Sequence, residues 1–186
     1  MMTLKTKLFL LLALGSSAAF AAKDPRKGFL EALQALKAQR FSEAQPLLEA
    51  AVKADPQSVE ATFYLGQCLY HEGHLDLAQQ RLLKALALEP TLPPALYYLG
   101  RIAYDQNKLP DAFEYLRQAD QAAPDLVMVH YYLGLVYQRN QQHLPAELEF
   151  QRALELDPSL QKATQALKFL RKDVKLIPTA SKKTDK

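Results

Sequence analysis

The chain has 186 residues, of which 49% are apolar and 23% are charged, and its formal net charge is +3. This composition is ordinary for a folded soluble protein, and the length allows one domain with a substantial core. A net charge this small gives no ground for predicting nucleic-acid binding.

The first 21 residues have the composition of a secretory signal peptide. Lys5 and Lys7 give a positive start, residues 8–14 form a short apolar run, and the Ala-Phe-Ala at 19–21 matches the A-x-A cleavage pattern. The apolar run is too short to anchor the chain in a bilayer. We therefore predict cleavage after residue 21 or at a neighbouring bond, export through a bacterial inner membrane and a periplasmic location.

Beyond this segment, residue types recur at a spacing of 34 residues in four separate columns. The columns are proline at Pro56, Pro90, Pro124 and Pro158, alanine at Ala44, Ala78, Ala112 and Ala146, alanine at Ala51, Ala85, Ala119 and Ala153, and glycine at Gly66, Gly100 and Gly134. Independent columns that share one period indicate a repeat architecture, in which each unit is one supersecondary structure.

Each period contains the pattern of two helices. In the third unit, apolar residues at helical spacing cover 94–107, and a second helical pattern covers 111–122. Pro124 ends the second helix, because the residue before a proline avoids the helical region. Ser42 and Asp76 stand at the matching start of the second helix in the first two units, where we predict them to be N-caps.

The glycine column lies inside the first helical pattern of its units. Glycine destabilises a helix interior by roughly 1 kcal/mol relative to alanine. We expect the glycines, and Ala32 at the equivalent place in the first unit, to let the paired helices approach closely. The gained packing then offsets the cost.

At these residues the chain strongly resembles the tetratricopeptide repeat (TPR) family, whose unit is a helix–turn–helix. The fourth unit matches the family pattern at Leu133, Gly134, Tyr137, Ala146, Phe150, Ala153 and Pro158. The first unit is degenerate, with Glu31 and Ala32 in place of Leu-Gly. No unit has the early tryptophan that is frequent in the family, and Thr62, Leu96 and His130 stand there in the last three units.

The resemblance implies an all-α fold, a right-handed solenoid of TPR units closed by a C-terminal capping helix. The four units are expected at about 25–58, 59–92, 93–126 and 127–160, within a repeat region that covers 22–158. Residues 159–173 have the amphipathic pattern of the capping helix, and 174–186 are predicted to be a basic disordered tail.

The resemblance also implies a binding surface. In the family, the second, fifth, ninth, twelfth and thirteenth residues of each unit face a concave groove. Carried over to this chain, the groove residues are Phe29, Phe63, Gln67, Tyr70, Tyr97, Arg101, Tyr104, Tyr131, Leu135 and Arg139. Aromatic rings dominate this set, and they provide a large contact area with little side-chain entropy to lose, which suits the binding of a peptide.

A second aromatic column lies one residue further along the chain. Tyr64, Tyr98 and Tyr132 could instead pack between units, with a hydrogen-bonded hydroxyl on each ring. If the phase of the helices differs by one residue, the two columns exchange these roles.

Some TPR proteins clamp a C-terminal carboxylate with lysine at the fifth position and asparagine at the ninth position of the first unit. This chain has Phe29 and Leu33 at those places. We therefore do not predict binding of a chaperone tail, and an extended or helical peptide along the groove is the expected partner.

The charges of the two parts of the chain differ in sign. Residues 22–158 carry 13 Lys/Arg and 18 Asp/Glu, whereas 159–186 carry 8 Lys/Arg and 2 Asp/Glu. The basic end is consistent with a solvated cap and a solubilising tail, or with contact to an acidic protein or an anionic membrane surface. Nucleic acid is not an expected partner, because the chain is expected to be exported.

No catalytic residue, cofactor or metal site is predicted. Cys68 is the only cysteine, and it lies in a helical apolar pattern, so we expect a small buried hydrophobe. The His-Glu-Gly-His at 71–74 is one residue short of the zinc-protease pattern, with Gly73 in the expected turn.

The sequence therefore predicts a non-catalytic scaffold or adaptor. It would bind a peptide segment of a protein partner in its aromatic groove and help to assemble a cell-envelope complex. The alternative is an envelope glycan binder that uses the rings, or an anionic-lipid binder that uses the basic tail.

Overall fold

The computed structural model describes residues 25–176, with side chains from 26 to 172, and these residues are helical apart from short turns. The nine helices of this region are α1 (Pro25–Lys37), α2 (Phe41–Ala54), α3 (Val59–His71), α4 (Leu75–Leu88), α5 (Pro93–Asp105), α6 (Leu109–Ala122), α7 (Val127–Arg139), α8 (His143–Leu156) and α9 (Gln161–Leu176). None of these nine helices is long and apolar enough to cross a membrane. The predicted signal peptide lies outside the described residues.

The helices pack as consecutive pairs, so that α1 pairs with α2, α3 with α4, α5 with α6 and α7 with α8. Each second helix also packs against the first helix that follows it. Helix α3 contacts α5, and α5 contacts α7, whereas no two second helices of the described region make a comparable contact. The array therefore curves with its first helices on the inside. We call the inner surface of α1, α3, α5, α7 and α9 the first-helix wall.

The glycine column brings the two helices of a unit close together. In the last three units, a Cβ atom added to the glycine would come within about 3 Å of a large side chain on the second helix. The pairs are Gly66 with Leu82, Gly100 with Leu116 and Gly134 with Phe150, at 2.8, 2.6 and 2.5 Å. These distances leave no space for a side chain, and the three large residues are fully buried. The expected close approach is confirmed.

The turn inside each unit contains one residue in the left-handed conformation. These residues are Gln39, Gly73, Asn107 and Gln141, with φ from 57° to 83°. In the first unit, the Arg40 N–H donates to the Ala35 carbonyl at 2.8 Å, and the Gln39 N–H donates to the Leu36 carbonyl at 2.9 Å. This pair of hydrogen bonds is a Schellman motif, which ends the first helix of the unit.

The N-caps predicted at Ser42 and Asp76 are wrong. Helices α2 and α4 begin at Phe41 and Leu75, so both predicted residues lie inside the first helical turn. The Schellman motif leaves only one residue, such as Arg40, between the left-handed residue and the next helix. Asp76 still interacts favourably with the helix dipole from this place.

In each unit, a single residue separates the end of the second helix from the proline column. The residues that precede the prolines are Asp55, Glu89, Ala123 and Asp157, with φ from −134° to −150°. The proline ring disfavours the helical conformation in the residue before it, which explains why all four helices end at this point. The role predicted for Pro124 is confirmed.

Helix α9 closes the array at the fourth unit. Its Ala163, Leu167 and Leu170 are buried, and both leucines pack in one apolar cluster with Ala146 and Phe150 of α8. The last unit therefore does not leave its apolar face in water, which is what a capping helix must achieve.

The capping helix is longer than the predicted range of 159–173. It runs from Gln161 to Leu176, so the tail predicted from residue 174 begins with helix. The sequence has no helix breaker at residue 174, and Pro178 is the first residue that disfavours helix in its predecessor. The rest of the predicted tail, 177–186, lies outside the described residues.

Candidate functional site

Seven aromatic rings form a continuous line of contacts across the four units. In order they are Phe29, Tyr64, Phe63, Tyr98, Tyr97, Tyr132 and Tyr131, with neighbouring ring centroids 5.1–6.1 Å apart. Every neighbouring pair is tilted or edge-to-face, the geometry that aromatic quadrupoles prefer. We call these seven residues the ring ladder.

The ladder combines the two aromatic columns, because the fifth residue of one unit contacts the sixth residue of the next. Phe29 of the first unit meets Tyr64 of the second, and Tyr97 of the third unit meets Tyr132 of the fourth. Six of the rings are half-buried, and Tyr98 is buried. The two columns therefore do not separate into a binding row and a packing row.

Tyr98 fits the packing alternative. Gln67 Nε2 donates to the Tyr98 hydroxyl at 2.7 Å, and His71 Nε2 lies 3.3 Å from the same oxygen. These contacts join the first helices of the second and third units. Gln67, which was predicted to face a ligand, is thus hydrogen-bonded within the protein.

The guanidinium of Arg101 lies against four tyrosine rings. Its Cζ is 4.5–5.5 Å from the ring centroids of Tyr70, Tyr97, Tyr98 and Tyr132. Cation–π attraction to these rings holds the charge in place. The Arg101 Nε is buried and has no hydrogen-bond partner in the described part of the chain.

Two further contacts link consecutive units along the same wall. The Tyr70 hydroxyl donates to Asp105 Oδ2 at 2.7 Å, and burial together with this hydrogen bond raises the pKa of Tyr70. Arg139 lies 3.9 Å above the ring centroid of Tyr104 and donates to the Tyr104 main-chain oxygen at 3.0 Å. Both contacts restrain the polar groups of the wall in one arrangement.

A groove of about 300 Å³ lies at the C-terminal end of the wall, between α7 and α9. It is lined by Tyr131, Leu135 and Gln138 of α7 and by Lys162, Gln165, Ala166 and Phe169 of α9. Phe169 is 65% exposed, which is unusual for a large aromatic side chain. The groove is therefore a mainly apolar surface that no described part of the chain covers.

The sequence prediction omits Phe169, since it assigns α9 a capping role only. The signal is nevertheless present in the sequence. Phe169 follows Leu135 by 34 residues, in the same column as Arg101, and Gln165 follows Tyr131 by the same interval. Helix α9 thus extends the wall as the first helix of a fifth unit would.

The ten predicted groove residues lie along the first-helix wall, although they differ in their surroundings. Phe29, at the N-terminal end, also lines a separate pocket of about 160 Å³ with Ala54 and Ala61. Phe63, Tyr97 and the residues around Arg101 pack on one another, whereas Tyr131 and Leu135 line the open groove. The C-terminal end of the wall is consequently the part that is best placed to contact a partner.

Cys68 and His71 have potentially reactive side chains near the wall, and both are packed against other residues of the protein. Burial and the charge of Glu72 raise the pKa of Cys68 to about 12, and its Sγ contacts the Phe41 carbonyl at 3.2 Å, so the predicted buried hydrophobe is confirmed. The ring of His71 stacks on the ring of Phe41 at 4.5 Å, and burial lowers the pKa of this histidine. Within residues 26–172, no group of three His, Cys, Asp or Glu side chains is placed to hold a metal ion.

The chain resembles several solved structures. It matches a crystal structure of MamA with a TM-score of 0.69 and 23% identity, over 82% of this chain and 83% of MamA. It matches PilF of Pseudomonas aeruginosa with a TM-score of 0.73 and 24% identity, over 81% of this chain and 69% of that one. It matches the thermophilic TPR protein TTC0263 of Thermus thermophilus with a TM-score of 0.70 and 23% identity, over 81% of this chain and 83% of that one. At such low identity these similarities show the fold alone.

The sequence itself also identifies the family. No curated protein sequence matches the chain significantly. The tetratricopeptide repeat family model matches residues 29–93 and 72–127, which together exceed half of the chain. The paired helices, the 34-residue period and the glycine and proline columns agree with this match. The chain therefore belongs to the tetratricopeptide repeat family.

Proposed function

We propose that this protein is a non-catalytic scaffold that binds a peptide segment of a partner protein along its first-helix wall. TPR proteins typically bind protein partners, and the wall of this chain supports the same role. The observation that carries the proposal is the groove between α7 and α9, where Phe169 is exposed beside Tyr131 and Leu135. An uncovered apolar groove at the end of a rigid ring ladder suits an aliphatic or aromatic side chain of a peptide.

The ring ladder supports this proposal through its rigidity. Consecutive rings contact one another across unit boundaries, so the wall does not need to become ordered when a partner binds. Pre-organisation lowers the entropic cost of association. The partner segment would therefore meet a surface whose side chains already hold their bound arrangement.

We further propose that the protein acts in the cell envelope, in the assembly of a protein complex. This part of the proposal rests on the signal-peptide pattern of the first 21 residues. An interaction scaffold without chemistry of its own is suited to holding the components of such an assembly together.

A photo-crosslinking experiment tests the scaffold proposal. A photoreactive phenylalanine analogue replaces Phe169 in one variant and Leu148 in the other. Leu148 is the matched control, because it is 58% exposed on a second helix, away from the wall. We expect crosslinking in intact cells to give one defined protein adduct from position 169 and no such adduct from position 148.

Binding measurements with the partner then complete the test. Phe169→Ala should weaken binding of the crosslinked segment roughly 10-fold to 100-fold, because an aromatic anchor contributes about 1–3 kcal/mol. The melting temperature should be unchanged, since the side chain is mostly exposed. Equal binding by Phe169→Ala and the parent protein would contradict the proposal.

The basic surface of α9 supports a second candidate, a binder of anionic lipid or envelope glycan. Lys162, Lys168 and Lys172 are exposed on this helix. Each lysine near a membrane surface contributes about 1 kcal/mol to the binding of anionic lipids. Retention of the protein on anionic vesicles or peptidoglycan, lost when Lys162, Lys168 and Lys172 are replaced by glutamine, would favour this function over the scaffold.

A further inference from the structure

The charges of the first-helix wall differ from those of the other surfaces. Residues 26–172 carry 16 Lys/Arg and 17 Asp/Glu. At the wall-facing positions of the units and of α9, the basic residues are Arg26, Lys37, Arg101, Arg139, Lys162 and Lys172, and the acidic residues are Glu60 and Asp105. The other positions carry 10 Lys/Arg and 15 Asp/Glu. A basic inner wall on an otherwise acidic protein selects for partners of negative charge.

Arg101 is the cation at the centre of this wall. It has no carboxylate oxygen within the 4.0 Å of an ion pair among the residues that the structure describes, and its Nε is buried without a hydrogen-bond partner. Asp105, which follows one turn later, is hydrogen-bonded to the Tyr70 hydroxyl instead. The rings therefore restrain a half-buried guanidinium that interacts with tyrosines but pairs with no carboxylate within the described chain.

A guanidinium fixed in this way is suited to a carboxylate. Its planar fork binds both oxygens of a carboxylate, and the partial burial makes the interaction stronger than it is in water. The tyrosine rings have already restricted the rotamers of Arg101, so little further entropy is lost on binding.

We propose that the occupant of the wall is an acidic segment of a partner protein, in which a side-chain carboxylate pairs with Arg101 and an apolar side chain enters the groove beside Phe169. This inference rests on the scaffold function proposed above. Charge complementarity identifies the occupant, and the same argument disfavours the chain's own 177–186, which carries Lys182, Lys183 and Lys186 against one aspartate.

The geometry also sets a spacing between the two contacts. Arg101 and Phe169 occupy the same column two units apart. Packed helices lie about 8–10 Å apart, so the two side chains are separated by roughly 16–20 Å along the wall. An extended peptide covers this distance in about five or six residues. The partner segment should therefore carry an acidic and an apolar residue at that interval.

A random 12-residue peptide library displayed on phage tests this inference against the intact protein. Peptides selected by the parent protein should be enriched in Asp or Glu, with an apolar residue five or six places away. Amidation of the C-terminus of a synthetic copy should leave the affinity unchanged, since the carboxylate belongs to a side chain. Arg101→Gln should weaken these peptides about 10-fold or more, as expected for a lost charged hydrogen bond.

Matched variants control for folding and for general charge. Arg117→Gln removes an exposed arginine that pairs with Glu114 on α6, and it should bind the peptides as the parent does. Arg101→Lys retains the charge on the wall and should bind better than Arg101→Gln. If Arg101→Gln melts at a much lower temperature, the decisive measurement is made on the parent protein with a selected peptide whose acidic residue is replaced by its amide, which should weaken binding about 10-fold or more.

The outcomes distinguish the two proposals. Selected peptides that lack acidic enrichment, but lose affinity in Phe169→Ala, would overturn the acidic occupant and leave the scaffold function standing. Failure to select any peptide would overturn both. Binding of phosphatidylglycerol vesicles that is lost in Arg101→Gln would assign the wall to lipid headgroups and overturn the acidic peptide.

Discussion

At the scale of single residues, His130 has a structural role that its residue type alone does not indicate. It stands where the family frequently has tryptophan, and it is buried. Its Nδ1 lies 2.9 Å from Glu149 Oε2, and its Nε2 lies 2.9 Å from the Pro124 carbonyl oxygen. Both partners are acceptors, so the protonated ring, in which both nitrogens donate, satisfies both contacts. Asp120 Oδ1 at 3.6 Å adds a second negative charge.

This arrangement predicts a specific pH dependence of stability. The hydrogen bond to Glu149 raises the pKa of His130 above its ordinary value of about 6.5, although burial opposes the change. The native state therefore holds its proton more tightly than the unfolded state. The contribution is complete below about pH 6.5 and is lost as the pH rises through the native pKa.

Titration of His130 by NMR is the measurement for this prediction. The midpoint should lie above 6.5 in the parent protein, and Glu149→Gln should lower it, because the carboxylate is the main cause of the shift. Glu149→Gln should also reduce the free energy of unfolding at about pH 6 by about 1–3 kcal/mol. A midpoint that is the same in both proteins would show that Glu149 does not hold the proton.

Gly100 gives the second prediction at this scale. A Cβ atom there would lie 2.6 Å from Leu116 Cγ, so Gly100→Leu must displace a fully buried side chain. We expect a loss of about 1–3 kcal/mol in the free energy of unfolding, measured by urea denaturation. Gly28 is the control, since an added Cβ meets nothing within 4 Å there, and Gly28→Ala should stabilise its helix. Unchanged stability of Gly100→Leu would mean that the helices can separate freely.

At the scale of elements, the same turn recurs four times with different residues at its left-handed position. Gly73 adopts φ 83° without strain, whereas Gln39 and Gln141 adopt 57° and 59° with a Cβ atom present. The backbone geometry is retained, because the Schellman hydrogen bonds and the packing of the two helices determine it. The packing of the two helices thus compensates for the conformational cost of a left-handed residue that has a Cβ atom.

Gln141→Gly should therefore stabilise the protein. The left-handed conformation costs a residue with a Cβ atom roughly 1–2 kcal/mol, while glycine loses more chain entropy on folding. The net gain in the free energy of unfolding should be at most about 1 kcal/mol, and Gln141 is exposed, so no packing is lost. Gly73→Ala should have the opposite effect. Both variants are measured by thermal melting. Shifts that are equal, or opposite in sign to those expected, would contradict this account of the turn.

At the scale of the whole molecule, each unit packs only on its neighbours, and α9 covers the last one. The ring ladder crosses the three interfaces between the units, so its residues both line the wall and hold neighbouring units together. Substitution of a ladder residue such as Tyr97 should therefore reduce stability as well as binding. The exposed Phe169 is the better site for separating the two effects.

Leu170→Ala and Phe169→Ala form a neighbouring pair that tests the capping role of α9. Leu170 is 1% exposed, so its truncation should cost about 2–5 kcal/mol, whereas Phe169→Ala should have little effect on stability. In a chain of nearest-neighbour units, the damage should remain local. Hydrogen exchange should show lost protection in α7–α9 and retained protection in α1–α4. Uniform loss along the chain would indicate a single cooperative core.

The repeat period, the helix pairs and the family follow from the sequence because they depend on local patterns that recur. Proline and glycine columns have the same steric meaning wherever they stand, and 34-residue spacing aligns them. The groove residues carried over from the family positions lie on the first helices, and their binding role stays a prediction. The prediction was wrong at Ser42, because a residue type that favours N-caps does not decide where a helix begins after the turn. It was also wrong at the end of the capping helix, because the basic composition of the tail does not end a helix.

The sequence by itself thus determined an array of paired helices with an aromatic inner wall. The tertiary structure alone decided that the two aromatic columns alternate in one ladder, that Arg101 lies among four rings, and that Phe169 remains uncovered. The physical reason is that the contacts between units, such as Phe63 with Tyr98 and Arg101 with Tyr70, join residues about one unit apart in sequence. Their meeting depends on the angle and distance between packed helices, which a one-dimensional pattern does not contain.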